Sequence, residues 1–106
     1  MLKFVVVVYK RSDWDAEQFR EYFQKTHGAM ALRLPGLRRY VQNFIAADPK
    51  RKHPGWDVVS ELYFDNHEAM ESAWATPEGK AATEDLLAIA DMERTTWSVV
   101  KEMVVL

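Results

Sequence analysis

The sequence predicts an α+β fold, an antiparallel four-stranded sheet with helical segments on one face, and three observations predict it. Extended and helical segments follow one another as β, α, β, β, α(α), β. The first extended segment is apolar on both sides, as a central strand is. Helix-start signals stand before each helical segment. This order is the ferredoxin-like split βαβ arrangement, and the handedness of crossovers favours its common topology.

Leu2–Tyr9 holds Phe4, Val5, Val6, Val7 and Val8 in succession, which suits a strand buried on both faces. After the polar turn Lys10–Asp13, Asp15 and Gln18 form a capping box, with Trp14 and Phe19 at the hydrophobic-staple positions. Phe19, Phe23, His27, Met30 and Leu34 then recur at helical spacing, with an interruption expected near Gly28, until Pro35–Gly36 ends the helix. Leu37–Ala47 is extended, Ala47–Gly55 is a loop rich in proline and basic residues, and Trp56–Phe64 is the next strand. Asp65 with Glu68 offers a second capping box, with Asn66 as a rival cap, ahead of Ala69, Met70, Ala73 and Trp74. Thr76–Pro77 supplies a cap and a first-turn proline for Glu78–Ala90, and Thr95–Leu106 is extended and ends apolar.

Length and composition narrow the function. The 106 residues suit one domain, residues 1–106. Hydrophobic residues at 48% and a mean hydropathy of −0.33 fit a folded chain, and no apolar run approaches the roughly 18 residues of a membrane span. A net charge of −2 gives no basic field for nucleic acid, despite local patches at Arg38–Arg39 and Lys50–Lys52. The absence of cysteine excludes a disulfide frame and a thiolate metal site, and the lack of a secretory leader points to the cytoplasm. One helical layer covers one sheet face only, so the two-sided first strand and apolar tail imply a homodimer through the other face.

Three groups of residues are candidates for chemistry. His27 lies on the apolar stripe beside Phe23 and Met30. Burial lowers an imidazole pKa and a helix C-terminus raises it, so the residue suits acid–base work as well as a plain core role. A hairpin centred near Lys50–Arg51 would set Tyr40 opposite Glu61, Gln42 opposite Val59 and Phe44 opposite Asp57. A carboxylate inside an apolar strand needs a partner or a wet pocket, so Tyr40 and Glu61 are expected either to polarise a carbonyl together or to make an ordinary cross-strand bond. Glu61 paired with Arg38 or Arg39 across a dimer interface is the other option. Trp56 and Asp57, with His53 before them, stand at the mouth of a loop where they can border a pocket. Phe23 and Trp97 are expected to line it, while Trp74 reads as core. His27, His53 and His67 lack metal-ligand spacing, so no metal is expected, and with no G-x-G-x-x-G or phosphate loop no cofactor is expected either.

At Phe4–Tyr9, Glu17–Phe19, His27, Leu34–Tyr40, Asp57, Glu61–Asp65 and Thr76–Gly79 the chain resembles the EthD family of the dimeric α+β barrel superfamily. The segments His27–Tyr40 and Asp57–Asp65 are its specific parts. Ala29 and Val58 stand where members often have proline and glycine. The resemblance implies a dimer of ferredoxin-like subunits and a link to ether breakdown, muconolactone-type isomerisation or aromatic polyketide tailoring. Together with the residues, it gives an expected activity: cofactor-free proton transfer on an apolar or aromatic carbonyl compound or lactone. His27 would be the acid–base, with Tyr40 or Glu61 as helper. Two alternatives stand beside it, a non-catalytic binding protein serving a monooxygenase and a cofactor-free oxygenase.

Overall fold

The computed structural model describes all residues from Met1 to Leu106. Its elements are β1 (Leu2–Val8), α1 (Ala16–Tyr22), a π-helical turn (Phe23–His27), α2 (Gly28–Ala31), β2 (Arg39–Phe44), β3 (Val58–Phe64), α3 (His67–Ala75), α4 (Pro77–Ile89) and β4 (Thr96–Val100). The strands lie in the order β2-β3-β1-β4, every neighbouring pair antiparallel, which is the ferredoxin-like arrangement. β1 and β3 are the inner strands, hence their valine-rich sequences. No helix is long and apolar enough to cross a membrane.

Alternation along the strands divides the sheet into two faces. Val6, Val8, Val58, Ser60, Leu62 and Phe64 are buried beneath the helices. Tyr40, Gln42 and Phe44 share that face through their partners Leu62, Ser60 and Val58, as Trp97 does through Val6. From the helices Phe19, Phe23 and Met70 meet this layer. Aromatic packing runs from Trp14 to Phe19 (6.1 Å), to Phe23 (5.6 Å) and on to Phe44 (6.2 Å). The opposite face carries Val5, Val7, Val41 and Val59, together with Lys3, Arg39, Glu61 and Tyr63.

The capping residues act largely as the sequence predicts. Asp15 accepts from the Glu17 and Gln18 amides, and Thr76 accepts from Gly79 N at 3.1 Å. For α3 the rival cap holds: Asn66 Oδ1 accepts from Ala69 N at 2.8 Å. Asp65 instead accepts from Arg38 Nε (3.1 Å) and Nη2 (2.8 Å). A bidentate guanidinium is the stronger partner for that carboxylate.

Several boundaries and one register differ from expectation, and β2 is shorter at both ends than the extended segment Leu37–Ala47. β3 begins at Val58, so Trp56 and Asp57 precede it, and β4 ends at Val100, leaving 101–106 without regular structure and Met103 to Leu106 exposed. In the β2–β3 pair Tyr40 faces Leu62 and Val41 faces Glu61, one residue away from the predicted pairing of Tyr40 with Glu61. A single-residue slip moves every side chain to the other face. The long connection between the strands does not dictate register. The observed alignment puts Leu62 and Phe64 under the helices and leaves the Glu61 carboxylate outside the core.

The α3–α4 junction is unusually close. Gly79 is buried in the first turn of α4 with the Ala73 carbonyl and the Trp74 backbone against it. Thr76 spans the corner, its hydroxyl donating to Ala73 O at 2.6 Å.

Candidate active site

Between the inward sheet face and the helices lies a cavity of about 260 Å³ with mostly apolar walls. Phe23, His27, Tyr40, Ser60, Trp74 and Trp97 are among its lining residues. Trp97 and Leu87, about half exposed, stand on its open side.

His27 reaches this cavity from the π-helical turn, where Gly28 N donates to the Phe23 carbonyl five residues back. Such a turn takes one residue more than an α-turn, and these turns concentrate at functional positions. The imidazole is 7% exposed and stacks on Phe23 with ring centroids 4.7 Å apart. Its Nδ1 lies 2.8 Å from Asp85 Oδ2 on α4. The other oxygen, Oδ1, accepts from the Tyr22 hydroxyl at 2.6 Å. An ionised carboxylate only accepts, so the Nδ1 of a neutral His27 carries the proton and Nε2 keeps its lone pair. Nε2 has no hydrogen-bond partner in the protein.

Burial pushes the His27 pKa below 6.5, and the bond to Asp85 opposes that fall. The same carboxylate pushes the Tyr22 phenol up to about 12, so Tyr22 stays protonated and keeps donating. The result is a neutral base, its ring fixed from behind, with a carboxylate placed to stabilise the cation formed when it takes a proton.

Tyr40 and Ser60 stand on the sheet floor of the same cavity. Burial raises the Tyr40 pKa, with Gln42 and then Ser60 acting against the rise. Thus His27, Tyr40, Phe23 and Trp97 line one cavity, and Trp74, expected as core, lines it too while packing on Phe4 at 5.6 Å.

Glu61 does not join them. It lies on the opposite sheet face, paired with Lys3 and accepting from Asn43 Nδ2 at 2.7 Å, and these partners hold its pKa below the usual value. Within the subunit its ion pair is with Lys3. The register explains the correction. Trp56 and Asp57 are also outside the cavity lining: Asp57 Oδ2 accepts from Lys10 N at 2.8 Å and so ties the loop to the end of β1. His53 is exposed, accepting from Gly55 N at 2.9 Å.

Asp85, Tyr22 and Ser60 escaped the sequence reading. Asp85 left a signal, since it falls three residues after Ala82 and four before Ile89, on the buried stripe of α4. Ser60 left another, as the one polar residue among Val58, Leu62 and Phe64 on the inward face of β3.

The EthD domain family matches residues 11–93. Among solved structures the chain is similar to an EthD family protein of Bacillus halodurans, with 28% identity over 97% of this chain and 100% of the other and a TM-score of 0.81. It also shares its fold with SnoaB, a cofactor-independent oxygenase from Streptomyces nogalater (17% identity, 99% and 95% covered, TM-score 0.68). A dimeric protein of ferredoxin-like fold from Bacteroides fragilis is similar over 93% of this chain and 91% of its own, with 19% identity and a TM-score of 0.63. No curated protein matches the chain.

Proposed function

The chain belongs to the EthD family, and from that premise we propose that it is a small-molecule enzyme that moves a proton on an apolar or aromatic carbonyl compound or lactone without a cofactor. One observation carries this reading: a buried histidine held by Asp85 at 2.8 Å, with its second nitrogen unpartnered, lines an apolar cavity. Nε2 takes a proton from the carbon beside a carbonyl, and Asp85 stabilises the imidazolium. Returning the proton to another atom gives isomerisation. Expelling a β-hydroxyl, which leaves as water with that proton, gives dehydration, and attack by the carbanion on a second carbonyl, whose oxygen takes the proton, gives cyclisation.

A panel of lactones and polyketide-like phenols tests the proposal. His27→Ala is expected to lose about 100-fold or more in turnover, and Glu61→Gln, altered on the far face, to remain active. Full activity in His27→Ala removes the base assignment. Binding without turnover in the unaltered protein favours the auxiliary reading instead. A second catalytic reading, as a cofactor-free oxygenase, is supported by the fold shared with SnoaB, and oxygen consumption with a hydroquinone separates it from proton transfer.

We further propose that two subunits pair through the outer sheet face, where Val5, Val7, Val41 and Val59 are bordered by the Lys3–Glu61 pair. The dimeric relative of the same fold supports this. Sedimentation at micromolar concentration is expected to give a dimer, and a monomer contradicts it.

A further inference from the structure

The cavity floor holds polar atoms that the His27–Asp85 pair leaves unused. Ser60 is 3% exposed and lines the cavity, and its Oγ stands near enough to the Tyr40 phenol to oppose the rise in its pKa without completing a hydrogen bond. A buried hydroxyl without a completed hydrogen bond is costly and rare, and an occupant that satisfies it removes that cost.

Beside it, Tyr40 is held in a complementary way. Its oxygen accepts from Gln42 Nε2 at 2.8 Å, and the same nitrogen donates to the Phe23 carbonyl at 3.0 Å. That carbonyl only accepts, so the amide nitrogen must face it, and its two hydrogens are both engaged. Gln42 therefore clamps the phenol by its oxygen and leaves the phenolic proton to be given away. A Cβ on Gly28 would stand 3.1 Å from this nitrogen, so the glycine after His27 leaves room for the clamp.

We propose that Tyr40 and Ser60 form a two-donor seat for one oxygen of the ligand, so that the cavity takes an apolar ketone or lactone bound by its carbonyl oxygen. This rests on the reading of His27 as base. When the C–H bond beside the carbonyl breaks, the proton goes to His27 Nε2 and its electron pair forms a C=C bond. The C=O π pair then moves to the oxygen, where the two hydroxyls meet the new negative charge. Donors fixed before the charge appears lower the barrier without rearranging.

Paired probes of the same ring size test the seat: 1-indanone, which has the oxygen, and indane, which lacks it. Binding is followed by tryptophan fluorescence, since Trp74 and Trp97 line the cavity. Ser60→Ala and Tyr40→Phe are each expected to shift the indanone-to-indane affinity ratio about 5-fold to 10-fold toward indane. An unchanged ratio in both floor variants overturns the seat, as does failure of both probes to bind. Exchange of the indanone α-protons for deuterium reads the base separately. Ratio shifts in the floor variants without exchange in the unaltered protein support the seat and overturn the proton-transfer reading.

Discussion

Asp85→Asn is expected to lower turnover by about 100-fold or more while the cavity keeps its shape. Asparagine is nearly the same size, so the loss comes from protons. Asp85 only accepts, which places the proton of neutral His27 on Nδ1 and the lone pair on Nε2, facing the reactant. An amide at position 85 can donate to Nδ1 instead. The ring proton then sits on Nε2, where a base needs its lone pair.

The substitution also removes the charge that opposes burial, so the His27 pKa falls further below 6.5. Because the folded state disfavours the imidazolium, stability is present above pH 6.5 and declines as the pH falls through the folded-state pKa of His27. In Asp85→Asn the decline still begins near pH 6.5, the unfolded value, but it extends to lower pH and is larger. Proton–nitrogen spectra of the imidazole read tautomer and titration midpoint together. Finding the same tautomer, midpoint and turnover in both proteins would refute the positioning role of Asp85.

Gly79→Ala is expected to destabilise the fold by about 2–4 kcal/mol. An added Cβ would stand 2.3 Å from Ala73 O, 2.6 Å from Trp74 Cα and 2.7 Å from Trp74 O. All three are backbone atoms and cannot rotate aside, so α4 must lift away from α3. Ala73 O also accepts the Thr76 hydroxyl, and that bond is strained by the same movement. Alanine's better helix propensity returns only about 1 kcal/mol. For a chain of this size the melting temperature drops by roughly 10 °C or more, and the affinity for a cavity ligand falls because Trp74 is displaced. Urea denaturation with an unshifted midpoint would show that the junction can open freely.

Local chemistry was legible in the sequence where it acts over a few residues. The Asp15 and Thr76 caps follow from side-chain reach to nearby amides, and the central place of β1 follows from the run Phe4–Val8. Asp65 stands first as the cap and Asn66 as its rival on local grounds, and the choice between them is made by Arg38, 27 residues distant in sequence. The β2–β3 register failed for a related reason. The long loop imposes no alignment, and what decides is which side of β3 can afford a carboxylate. His27 stood out on its stripe, yet its partner is 58 residues away. Only helix packing joins the two, and no spacing rule spans that distance. The apolar wall Phe23 was readable because burial is a property of the pattern, whereas the polar atoms beside it were not.

The π-helical turn at Phe23–His27 has a consequence for how the first helix tolerates change. One residue rotates an α-helix by about 100°, so removing one here to restore ordinary winding would swing Gly28–Ala31 around the axis relative to Ala16–Tyr22. The turn thus acts as a phase adjuster between two short rods. Upstream, Phe19 keeps its angle to the core. Downstream, the phase is set by the line between His27 and Asp85. The two halves of the helix can drift independently in sequence, provided that the extra residue between them is kept.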